Sequence, residues 1–92
     1  MKSLKEIQDL VAEAAVLTAI SSESKDLWRT FCDKVRDKLN WQEYALHKLS
    51  SYNSNSELQS DWLIAYDVRE IFPEVSRTEI AVFHHQYLNS IE

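Results

Sequence analysis

The chain has 92 residues, 45% of them hydrophobic, and its three Trp, four Tyr and three Phe give enough apolar bulk for one folded domain. It contains no glycine and a single cysteine, Cys32, which excludes glycine-built phosphate loops and an internal disulfide framework. The formal net charge is −5 at pH 7, and all of it lies in residues 57–92, where seven acidic side chains face only Arg69 and Arg77. Such a surface repels nucleic-acid phosphate and favours a basic partner.

No apolar run approaches the roughly 20 residues that span a bilayer. The start, Met1-Lys2-Ser3-Leu4-Lys5-Glu6, reaches an acidic residue too early for a signal peptide. A single cytoplasmic domain over residues 1–92, with no membrane association, is the expectation.

Helical spacing predicts five segments joined by short connections. The first runs from about Ser3 to Ile20, with Leu4, Ile7, Leu10, Val11, Ala14, Leu17 and Thr18 on one stripe. From residue 12 the opposite side also turns apolar through Ala12, Val16, Ala19 and Ile20. A helix apolar all round is central in its domain or part of a subunit contact, and central packing is expected in so small a chain. Ser21-Ser22-Glu23-Ser24 supplies cap oxygens for a second helix, Lys25 to Leu39, whose stripe is Trp28, Phe31, Cys32, Val35 and Leu39. Its line-up makes Cys32 a buried structural thiol, and Arg29 with Asp33 stands at pairing distance on the exposed face. Asn40 and Glu43 form a capping box for a short third helix through Trp41, Tyr44, Ala45, Lys48 and Leu49.

Ser50 to Ser56 is polar, lacks an apolar period and is expected to be the most mobile loop. The fourth helix, roughly Ser56 to Phe72, carries a broad apolar arc of Leu58, Trp62, Ile64, Ala65, Val68, Ile71 and Phe72. Pro73 ends it, because the ring has no N–H for the ladder and biases Phe72 away from helical geometry. Ser76-Arg77-Thr78-Glu79 caps the last helix, with Ile80, Phe83, His84, Tyr87, Leu88 and Ile91 as its stripe. The expected fold is all-α, a compact single-domain bundle of about five short helices.

Catalytic, cofactor and metal residues are all assigned as none. His84 and His85 point about 100° apart on a helix and cannot chelate one metal as an i, i+4 pair could. His84 falls in the apolar stripe, where one hydrogen bond would satisfy it, and His47 is isolated. The serines cluster at caps and loops, which explains them. An enzyme is not expected.

Val75-Ser76-Arg77-Thr78-Glu79-Ile80 resembles the opening of a recognition helix, and over about Arg69 to Leu88 the pattern resembles a helix-turn-helix. Pro73-Glu74 stands where a glycine is usual, and Glu70 where a small buried residue is usual. Residues 76–88 hold one Lys or Arg, Arg77, so a DNA-reading role is the alternative rather than the leading reading.

On the polar side of the fourth helix, Gln59, Leu63, Asp67 and Glu70 succeed one another with Tyr66 beside them. Leu63, Tyr66, Asp67, Glu70 and Glu74 are therefore the candidate partner-binding residues, aromatic and aliphatic anchors in an acidic rim. Asp61 and Arg69 lie within the apolar arc and should be paired or at its solvent edge. The leading functional expectation is a small acidic helical protein that binds and blocks or escorts another protein with a basic surface. In size and charge it is like inhibitors, immunity proteins, phage-encoded anti-defence proteins and secretion chaperones. The third reading is a structural subunit, a homodimer through the first helix.

Overall fold

Side-chain caps set most of the helix starts. In the computed structural model, which describes residues 1–52 and 61–90, Ser3 accepts the backbone N–H of Glu6 and opens α1, Leu4–Ser21. A single 3-10 turn at Ser24–Asp26 leads into α2, Leu27–Lys38, so the predicted serine cap is replaced by a tightened first turn. Asn40 and Glu43 form the predicted capping box, with both reciprocal bonds present, at the head of α3, Trp41–Ser51. The remaining two helices are α4, Asp61–Ile71, and α5, Arg77–Ser90. Ser76 accepts the Glu79 N–H as predicted, but the Glu79 carboxylate takes the Ser76 hydroxyl rather than its backbone N–H. Leu58, Gln59, Ile91 and most of the Ser/Asn stretch lie outside the described residues.

The fold is all-α, with five α-helices among the described residues. α1 packs on α2 and α3, while α4 is held by α2, α3 and α5, and α5 also touches α3. The core runs through Ile7, Val35, Leu49, Ile64, Val68, Ile71 and Ile80, all essentially sealed from water. Predicted stripe residues supply each of these. Cys32 is buried among them, and burial pushes its thiol pKa up.

Three expectations are corrected. α1 is not central: Val16 and Ile20 are 58% and 78% exposed, and Leu17 is also exposed. The bundle measures 41 × 25 × 24 Å, and only Ala14 and Thr18 of the second half of α1 are buried. Trp28, placed in the core by its stripe, is instead exposed, stacked at 5.7 Å on Phe31. Asp33 pairs with Arg36 and not with Arg29. Arg36 is drawn to that side because its other terminal nitrogen donates to the Ile71 carbonyl at 3.1 Å. That bond satisfies an orphan carbonyl at the end of α4 with a cation, as the helix dipole favours.

Polar staples lock the helix ends. Buried Glu43 accepts the backbone N–H of Asn40 at 3.0 Å and of Lys2 at 2.9 Å, with the Lys2 ammonium 3.5 Å away. The N-terminus is thereby tied to the head of α3. No helix among the described residues is long and apolar enough to cross a membrane.

Candidate protein-interaction surface

The turn between α4 and α5 is pinned from below. Phe72 and Val75 are buried, the Phe72 N–H donates to Val68 and the Val75 N–H to Phe72. Arg69 Nε donates to the Val75 carbonyl at 3.0 Å, so the turn folds back along the outer face of α4. Arg77, the first residue of α5, is carried to that face. The result is a cleft of about 420 Å³ walled by Trp62, Tyr66, Arg69 and Glu70 of α4, by Pro73 and by Arg77, with Ala65 on its floor. The α4 residues recur at i, i+4, i+7 and i+8, one face of a helix. A smaller depression of about 210 Å³ adjoins it past Trp62 and Arg77, reaching Asp61 and Ala81.

Trp62 and Tyr66 stand 63% and 60% exposed. Covering the open part of each ring would release on the order of 3 kcal/mol of apolar burial, before any cost of association. The Tyr66 hydroxyl is held above its ordinary pKa by hydrogen bonding to the Glu70 carboxylate and by that group's charge. Among the described residues, neither Arg69 nor Arg77 forms an ion pair.

The five residues read from the sequence as one patch are divided by the fold. Tyr66 and Glu70 line the cleft. Leu63 is half-buried, and Asp67 is engaged from behind by the Tyr52 hydroxyl at 2.5 Å. Glu74 lies elsewhere, in a shallow basin with Lys2, Arg36 and Lys38. Trp62, Arg69 and Arg77 were not among the sequence candidates. Trp62 belongs by periodicity to the apolar arc, yet among the described residues no helix covers it, and Arg77 comes from another element. The i, i+4 pairing of two aromatics ahead of Arg69 was the available signal.

At the other end of the α4–α5 interface, Asp61 accepts from both neighbouring histidines. His84 Nδ1 lies 2.7 Å from one carboxylate oxygen and His85 Nε2 lies 3.2 Å from the other. His84 is buried, its Nε2 has no hydrogen-bond partner among the described residues, and His85 is exposed. Asp61 is thus both paired and at the solvent edge, as expected for a charge inside an apolar arc. Among the described residues no group of three His, Cys, Asp or Glu side chains is arranged to hold a metal ion. Arg69 is likewise solvent-edged, anchored through its single Nε bond.

No protein-family model, curated protein or solved structure matches the chain.

Proposed function

We propose that the protein acts by binding another protein, blocking or escorting it, with Trp62, Tyr66, Arg69 and Arg77 as the central anchors. The observation that carries this reading is the exposure of two large aromatics in a concave cleft beside two arginines. Trp, Tyr and Arg are the residue types that dominate binding energy at protein interfaces. Their backbone is held here by a pinned turn and a helix, so the ordering cost of association falls on the side chains alone. Around them Asp61, Asp67 and Glu70 keep the surround acidic, which favours a partner with a basic rim and steers its approach.

The test is affinity capture from the native host with the wild-type chain beside Trp62→Ala and Tyr66→Ala. A partner held by the wild type and lost on either truncation is the expected result. Capture unchanged by both truncations would overturn the assignment of this surface. Glu70→Lys should slow association and reduce its dependence on salt.

A second reading, self-association through α1, is favoured by Val16, Ile20 and Trp28 standing exposed on two adjacent helices. Sedimentation equilibrium decides it: a monomer at high concentration counts against a dimer. A duplex-reading role for residues 76–88 has less support, since Arg77 is the single Lys or Arg of α5 and Glu79 follows it.

A further inference from the structure

We propose that the cleft between α4 and the start of α5 takes a partner segment bearing one carboxylate beside an aromatic or large aliphatic side chain. This rests on the protein-binding reading above and names what the partner presents. Arg69 and Arg77 are the only Lys or Arg residues in 57–92, and the fold brings both to this one cleft from different elements. Arg69 spends one N–H on the Val75 carbonyl, which fixes the guanidinium, and among the described residues its other donors are open to a ligand. Arg77 has all five. A planar fork matches a carboxylate in two parallel bonds, so a pair of forks defines an acceptor of that shape.

The charge count sets the size of the anion. Two guanidiniums and the Glu70 carboxylate give the lining one net positive charge. One carboxylate neutralises the lining. A chain of phosphates would bring several charges onto a protein of net charge −5, with Asp61 and Asp67 close by. Trp62 and Tyr66 offer open ring faces next to the arginines, which specifies the apolar neighbour of the carboxylate. A volume of about 420 Å³ admits a side chain of that kind, within the range of ordinary ligand clefts. The acidic surround and the basic centre act at different ranges. The first steers a basic partner from a distance, and the second reads one carboxylate at contact, where screening is weakest.

The test is a titration of the full-length 15N-labelled chain with blocked dipeptides, acetyl-Phe-Glu-amide against acetyl-Phe-Gln-amide, followed by NMR. The acidic peptide is expected to shift the Trp62 indole and Arg77 Nε signals, leaving the Trp28 and Trp41 indoles in place. It should bind about tenfold more tightly than the glutamine peptide. Arg77→Gln, an exposed substitution, should erase that preference, and Arg77→Lys should restore only part of it. Equal binding of the two peptides would overturn the proposal. So would absence of shifts up to about 10 mM peptide, the weak range expected of so small a ligand. Tighter binding of oligothymidylate at the same signals would overturn it in favour of a nucleic-acid site. If the titration fails while Trp62→Ala still abolishes capture, the carboxylate assignment falls and protein binding stands. Capture that survives both ring truncations removes the protein-binding reading and this inference with it.

Discussion

His84 Nδ1 lies 2.7 Å from Asp61 Oδ1, joining a buried ring of α5 to a half-exposed carboxylate at the head of α4. The bond closes the α4–α5 pair at the end opposite the pinned turn. The His84 hydrogen bond, aided by a second from His85, holds the Asp61 carboxyl below its ordinary pKa against a smaller opposing effect of burial. A depressed folded-state value means that this stability is present above the unfolded carboxyl value and is lost as pH falls through the folded one. The loss therefore develops below about pH 4. Asp61→Asn should cost about 1 kcal/mol at neutral pH, a modest figure because half the carboxylate is in water. It should also flatten the acid limb of stability followed by urea unfolding.

Glu43 contributes to the same limb from inside the protein. Burial alone would raise its carboxyl, but the N–H groups of Asn40 and Lys2 and the Lys2 charge outweigh that and hold it low. The sign is the same as for Asp61, so the contribution vanishes on acidification below the ordinary glutamate value. Glu43→Ala strands two N–H groups and should cost about 2 kcal/mol, measured by denaturant titration at pH 7. Removing residues 1–2 should reproduce a smaller part of that loss.

Exposure divides α1 into two energetic halves. Ile7→Ala removes a fully buried side chain and should cost about 2–5 kcal/mol through lost transfer and a residual cavity. Ile20→Ser should change stability by less than about 0.5 kcal/mol, because the side chain is mostly in water. Thermal unfolding of the two variants side by side checks the difference. Equal losses would mean that Ile20 is covered in solution.

Cys32 should be a slow thiol. It is buried in the α2 stripe, and burial raises its pKa, so both access and thiolate fraction are low. An aromatic disulfide reagent at neutral pH should react at a rate limited by opening of the fold and become fast in denaturant. Rapid reaction of the native chain would contradict the packing of α2.

Much of the fold was legible in the sequence because its signals are local. The 3.6-residue spacing of Ile7, Ala14 and Thr18, or of Cys32, Val35 and Leu39, reports which side of a helix must leave water. Asn40 with Glu43 and Pro73 after Phe72 mark helix ends through bonds made, or forbidden, within a few residues. The all-α class, the helix order and nearly all of the buried core follow from these.

Periodicity cannot say whether an apolar side meets a neighbour, and that is where tertiary structure decided the outcome. Trp62 and Trp28 sit on genuine apolar stripes, yet both stand exposed, as do Val16, Leu17 and Ile20 in the second half of α1. The candidate patch on α4 was read along one helix, so it kept Glu74 and Asp67, which the fold turns away or engages with Tyr52. It missed Arg77, because only the return of the chain over the Phe72–Val75 anchor brings α5 beside Tyr66. Charge content is written in the composition, but its placement belongs to the packing. By sequence the last 36 residues are simply acidic, and the fold gathers their two arginines around two exposed rings.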